Sequence, residues 1–184
     1  MFKDITRDDV YRIETRRLWL RWPRLSDAAA IAHYVSDRKI SDMTARIPHP
    51  YPPQDADRYV FTTREGNADG KGLGLVITRL GAPTEIIGAI GLSPTDRPDT
   101  LEFGYWIGVP HWGQGYATEA AQSIVAAGFS LSHASTLMAT VKPENTASKR
   151  ILAKIGFQET GRESRFMPAR QREEVIDCFR LTRV

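Results

Sequence analysis

The sequence of 184 residues has a single cysteine, Cys178, so no disulfide can form within it. Its four histidines, His33, His49, His111 and His133, stand far apart, and no Cys/His spacing matches a zinc site. No metal is expected. No apolar run approaches the ~20 residues that a membrane helix needs, and the opening MFKDITRDDVYRIETRR has no apolar core of the kind a signal peptide requires. These absences lead to the expectation of a cytoplasmic protein with no membrane partner. Neither sign of charge prevails: 25 Lys+Arg against 22 Asp+Glu leave a net charge of +3. A nucleic-acid partner is therefore not expected, since it calls for basic residues gathered on one face beside a reading module. Repeats, low-complexity tracts and long linkers are also missing, which predicts one domain over residues 1–184. At this length a chain buries roughly 70% of its unfolded surface, so one core suffices.

Local surpluses of base do occur, at Arg16, Arg17, Arg21 and Arg24 and again at Arg162, Arg165, Arg170 and Arg172. Each is either a solvated face or an anion site. From Arg16 to Trp22 polar and apolar residues alternate, which predicts a strand. Ser26 then reads as a helix cap, with Asp27 in the first turn and Ala28, Ile31, Ala32 and Val35 along one face. The proline-rich IPHPYPPQ is a loop, followed by a short helix from Gln54 to about Arg64. Strands are predicted at Leu73–Thr78, Glu85–Leu92 and Leu101–Gly108, a helix from about Gly115 to Leu131, and a strand over Thr136–Val141. A helix over Thr146–Ile155 closes at Gly156, and two more strands span about Phe157–Phe166 and Glu174–Arg183. The class is α+β, with antiparallel pairs at both ends and a strand-helix-strand crossover between them.

The segment LEFGYWIGVPHWGQGYATEA, residues 101–120, is the most informative. A strand ends near Gly108, a turn containing Gly113 and Gly115 follows, and an amphipathic helix begins at once. Unpaired N–H groups thus converge at a positive helix end, a setting that binds phosphate. Two familiar phosphate loops fail against it. A Walker motif needs Gly-Lys followed by Ser or Thr, whereas Gly70-Lys71 is followed by Gly72, and a dinucleotide fingerprint needs glycine where the chain has Thr118.

The turn resembles the acyl-CoA pyrophosphate loop of the GNAT superfamily of N-acetyltransferases, [QR]-x-x-G-x-[GA], with Gly113 and Gly115 in place and Pro110 departing from the first position. The resemblance extends over nearly the whole chain. IETRRLWLRWPRLSDAAAI is similar to the opening strand and helix of the branch of ribosomal-protein N-terminal alanine and serine acetyltransferases, EIIGAIGL to its third strand, LEFGYWIG with WGQGYATEA to its central signature, and KPENTASKRILAKIGF to its second CoA motif. The resemblance implies a GNAT fold: a twisted, mostly antiparallel sheet of about seven strands, a strand-helix-strand acyl-CoA-binding core and about four helices. It implies acetyl-CoA as cosubstrate. The pyrophosphate would lie on the backbone of Gly113, Gln114, Gly115, Tyr116 and Ala117, the pantetheine arm against Trp106, Ile107 and Gly108, with Asn145 on its other side and Ser148 near the thioester sulfur. The reaction implied is direct transfer of acetyl to a primary amine, with N–H donors at the strand end stabilising the oxyanion and Ser148 assisting the departing thiolate.

Plainer readings stand beside these. Asn145 is a good N-cap and Ser148 a first-turn residue, although Ser148 shares a face with Ile151, Leu152 and Ile155 and so points inward. Glu102 shares a face with Gly104 and Trp106 and is either an ion-pair partner for an arginine or the base that accepts the amine proton. Tyr105, Trp106, His111 and Trp112 read as packing around the cofactor slot, and Cys178 as a packed residue. The acceptor is expected to be a protein or peptide N-terminal α-amine. A small-molecule amine, and a non-catalytic acyl-CoA-binding module, are the alternatives. The loop from Ile40 to Pro53 and the segment from Arg162 to Arg172 should border the acceptor, without a motif that names it.

Overall fold

The computed structural model describes residues 11–183, so the reading of the first ten residues as free of a signal peptide lies outside the described residues. The strands are β1 (Arg12–Glu14), β2 (Leu18–Arg21), β3 (Leu73–Arg79), β4 (Ala82–Pro94), β5 (Thr100–Ile107), β6 (Thr136–Val141), β7 (Gln158–Met167) and β8 (Arg172–Thr182). The helices are α1 (Ala28–Val35), α2 (Arg38–Ser41), α3 (Pro53–Ala68), α4 (Tyr116–Leu131) and α5 (Thr146–Lys154). The strands form one sheet in the order β1-β2-β3-β4-β5-β6-β8-β7. Every pairing is antiparallel except β5 with β6, the two strands joined by the α4 crossover.

The sheet is covered on both faces. Leu18, Leu20, Leu75, Ile90, Leu101 and Phe103 turn toward α4 and α5, where Ala120, Ala121, Ile124 and Leu152 meet them. Val76, Ile86, Ala89 and Trp106 turn to the other side and pack on Ile31 and Val35 of α1 and Ala56 and Val60 of α3. The period-two alternation of the strands thus serves two apolar layers.

The fold class is as expected, and several details are refined. The sheet has an eighth strand, because Ile13 of the short β1 lies against the core and pairs with Leu20. Helix α3 runs past Arg64 to Ala68, held at its end by Asn67, whose buried amide donates to Gly74 O at 2.8 Å and accepts from Gly74 N at 2.7 Å. Ala82 and Pro83, expected in the turn, belong to β4, with Ala82 paired to Arg79. Ser26 does not cap α1: the stretch Leu25–Asp27 is a 3-10 turn, and Asp27 organises it by accepting from Arg24 N at 2.7 Å. Asp27 also takes both arms of Arg21, at 2.8 and 2.9 Å, so that an arginine expected to alternate outward is 6% exposed. Burial of that charge is tolerated because the pair is bidentate and charge-assisted.

Candidate active site

The turn between β5 and α4 supplies the first half of the site. Gly113 and Gly115 have φ of +73° and +79°, and Gly115 is the N-cap of α4. Only glycine adopts this left-handed backbone without strain, and two such residues around Gln114 curl the chain so that the first-turn N–H groups of Tyr116, Ala117 and Thr118 point outward from a positive helix end. Among the described residues no side chain caps that end. Arg17 lies over the turn: its Nη1 donates to Gln114 O at 3.0 Å and its guanidinium covers the Tyr116 ring at 4.7 Å. Glu119, one turn into α4, holds it there by accepting from Arg17 N at 2.8 Å, Arg17 Nε at 2.7 Å and Thr15 Oγ1 at 2.7 Å. Burial alone would raise the Glu119 carboxyl, but these hydrogen bonds hold it below the ordinary carboxylate value. A groove of about 470 Å³ beside Gly115 is lined by Arg16, Thr118, Glu119, Gln122 and Lys154. Of the N-terminal surplus, Arg16 and Arg17 thus lie at the loop, whereas Arg21 is buried against Asp27 and Arg24 is exposed.

The second half is a wedge in the sheet. β5 and β6 pair only over Thr100–Glu102 with Thr136–Met138; beyond that, β5 pairs only with β4 and β6 only with β8. Gly108 N donates to Ile87 O at 2.8 Å, so by strand alternation the backbone of Trp106, opposite Ala89, is turned to β4 as well. The backbone of Phe103, Tyr105 and Ile107 faces the wedge instead, and there the Ile107 carbonyl accepts from Trp112 Nε1 at 2.6 Å. Of the expected strand-end residues, Ile107 is therefore the one whose N–H looks into the opening, while Trp106 and Gly108 line it from behind.

Helix α5 borders the wedge on the α4 side. Asn145 is its N-cap, with Oδ1 accepting from Ser148 N at 3.1 Å, so the capping role read from the sequence is present. Ser148 is half-buried, and the Tyr105 hydroxyl donates to its Oγ at 3.2 Å across the gap from β5. Burial pushes the Tyr105 phenol up in spite of that bond, so it remains a protonated donor.

Glu102 stands on the opposite face. Arg46 Nη2 donates to its Oε2 at 2.9 Å and Arg165 Nη1 to its Oε1 at 2.7 Å. Arg165 also reaches Thr140 Oγ1 at 3.4 Å, spanning the wedge from β5 to β6. The two segments expected to border the acceptor meet here: Arg170 donates to the carbonyls of Thr44, at 2.6 Å, and Ser41. His111 is held by Tyr34, Oη to Nε2 3.1 Å, and burial lowers it below the ordinary imidazole value. Burial raises the Cys178 thiol, which disfavours the thiolate a nucleophile requires. Among the described residues no group of three or more His, Cys, Asp or Glu side chains is placed to hold a metal ion.

Sequence reasoning left out Arg17, Tyr105, Arg46 and Arg165 as site residues. Arg17 had a signal in the paired Arg16-Arg17 ahead of an alternating strand. Tyr105 had one in its position two residues before Ile107 on the same strand face. Arg46 and Arg165 lie in the two segments expected to border the acceptor, but nothing local pairs them with Glu102, which is 56 and 63 residues away.

A left-handed glycine turn at the start of a crossover helix, opening onto a split between two parallel strands, is the arrangement expected of an acyl-CoA-binding α+β domain. Comparison with known proteins gives its family. Residues 17–158 match the acetyltransferase (GNAT) domain family. The chain is 31% identical over 151 residues to the uncharacterized N-acetyltransferase p20 of Bacillus licheniformis, covering 80% of this chain and 82% of that protein. It is 32% identical over 150 residues to the uncharacterized N-acetyltransferase YnaD of Bacillus subtilis, covering 81% and 84%. The fold superposes on the ribosomal-protein-S5-alanine acetyltransferase of Vibrio fischeri with a TM-score of 0.78 at 19% identity, over 94% of this chain and 96% of that one. The chain belongs to the GNAT acetyltransferase family and is an acyltransferase that uses acetyl-CoA.

Proposed function

We propose that the protein transfers acetyl directly from acetyl-CoA to the α-amine of a protein or peptide N-terminus. The observation that carries this reading is the continuity of the left-handed Gly113–Gly115 turn, the wedge edge of β5 and Ser148 along one path. On this reading the N–H groups from Gly113 to Ala117 bind the pyrophosphate, and the Ile107 N–H and Asn145 hold the pantetheine arm. Trp106 and Gly108 shape the wedge behind it, and Ser148 supplies a proton to the departing sulfur. The acceptor enters from the α1/α3 face, past Glu102 and the seam closed by Arg170. With a guanidinium on each oxygen, Glu102 acts as the ion-pair partner that ties the Arg46 loop and β7 to β5, and not as the base.

With Glu102 held by two guanidinium groups, no dedicated base stands at the wedge among the described residues, which favours an α-amine. A lysine amine with pKa of about 10.4 needs roughly 4.6 kcal/mol to become neutral at pH 7, whereas an α-amine at about 7.7 to 8.0 needs only about 1 to 1.4 kcal/mol. A water molecule suffices to take the proton from the α-amine. The resemblance to the ribosomal-protein acetyltransferase branch agrees, as does the likeness in fold to an enzyme named for a ribosomal-protein alanine. A cytoplasmic location and a single domain over residues 1–184 are part of the proposal, on the sequence grounds already given; among the described residues no helix is long and apolar enough to cross a membrane.

The test compares kcat/KM for a short peptide with a free N-terminus against the same peptide blocked at its N-terminus but bearing an internal lysine, following released CoA. The free N-terminus is expected to be the better acceptor by at least about tenfold, given the difference in the cost of deprotonation. Faster acetylation of the blocked peptide, or turnover on small non-peptide amines alone, overturns the acceptor assignment. Binding of acetyl-CoA with no turnover on any amine identifies a sensor module instead.

A further inference from the structure

We propose that Tyr105 is a positioning residue that sets the direction of the Ser148 hydroxyl. The inference rests on the role given to Ser148 above. The Tyr105 Oη to Ser148 Oγ distance is 3.2 Å, and the phenol, as the stronger acid of the two hydroxyls, is the donor. Ser148 is fixed at its backbone by the Asn145 cap, while its own O–H donates to no other group among the described residues. Left alone, a serine in the first turn of a helix turns its hydroxyl to nearby backbone acceptors. A hydrogen bond arriving from the β5 side occupies one Oγ lone pair and leaves the remaining proton directed away from the phenol, along the gap between α5 and the wedge edge. The phenol ring has little freedom to follow another partner: it packs on Phe103, centroids 5.7 Å apart, and Phe103 packs on Phe157 at the same distance.

Tyr105 has the chemistry for holding rather than for transferring a proton. Buried against the core, its phenol stays protonated. In the transfer step the acceptor nitrogen's lone pair forms the C–N bond and the C–S bond breaks with its electron pair on sulfur. Sulfur takes the Ser148 proton, and Ser148 Oγ regains one from the acceptor nitrogen by way of water. The Tyr105 proton does not move. Its contribution is to spare Ser148 the search among hydroxyl rotamers that point the proton elsewhere.

The experiment is a double-mutant cycle on the full chain with Tyr105→Phe, Ser148→Ala and the pair. It measures kcat, acetyl-CoA affinity by calorimetry, and Tm. Tyr105→Phe is expected to lower kcat about three- to tenfold, the worth of one neutral hydrogen bond, with acetyl-CoA affinity and Tm nearly unchanged. In the Ser148→Ala background the same substitution should have no further effect on kcat, the mark of two groups acting as a unit. An equal loss in both backgrounds, or lost affinity with kcat intact, overturns the inference. If Ser148→Ala slows turnover while Tyr105→Phe does not, the inference fails and the Ser148 reading stands. If Ser148→Ala itself leaves kcat within about threefold, far short of general-acid assistance, both fail.

Discussion

At the scale of single residues, what a side chain can do here is decided by what holds it. Glu102 reads on sequence grounds as a base or an ion-pair partner, and Arg46 and Arg165 engage its two oxygens, which joins the Arg46 loop and β7 to β5. Arg17 gains its position from Glu119 in the same way. Gly115 is constrained by its backbone, with φ of +79°, and by Arg17, whose Nη2 would lie 3.4 Å from an added Cβ. A β-branched residue is especially poor in this conformation. Gly115→Val is therefore expected to weaken acetyl-CoA binding by about tenfold or more, the equivalent of 1–3 kcal/mol of backbone strain. Calorimetry on the folded variant is the check, and unchanged affinity would remove the turn from the binding site.

At the scale of elements, the entry into α1 depends on the Arg21–Asp27 pair, whose residues are 6% and 4% exposed. Asp27→Ala leaves a buried guanidinium with neither of its carboxylate bonds, and the expected loss is about 3 kcal/mol of unfolding free energy, measured by urea denaturation. Arg21→Met with Asp27→Leu, which removes both charges together, should lose much less. Elements were legible where the signal is local. β6 spans Thr136–Val141 as expected, and the glycines at 113 and 115 ahead of an amphipathic helix announce the turn. They were not legible where a distant partner decides. β1 is a strand because β2 lies beside it, α3 continues because Asn67 finds Gly74, and Arg21 turns inward because Asp27 waits in a loop. The same division runs through the site: Asn145 and Ser148 could be read from one motif, whereas the Glu102 cluster is assembled from three separate stretches of chain.

At the scale of the whole molecule, Glu119 fastens the β1–β2 turn to α4 through Thr15 and Arg17. Because its folded pKa is lowered, the stability it contributes is present above its unfolded pKa and is lost as pH falls through the folded one. The Tm difference between the wild-type protein and Glu119→Gln should thus be full at pH 7 and shrink as pH falls below about 4.3, the ordinary glutamate value. A difference that persists undiminished at pH 3 would show that the hydrogen bonds matter without the charge. The wedge has a consequence on the same scale. With only Thr100–Glu102 and Thr136–Met138 joining β5 to β6, the eight strands are two ladders sharing a short spine, and the pantetheine arm proposed to lie between them would act as a removable rung. Part of the cohesion across the seam is then lent by the cosubstrate, so the resistance of the chain to unfolding rises and falls with the acetyl-CoA supply around it.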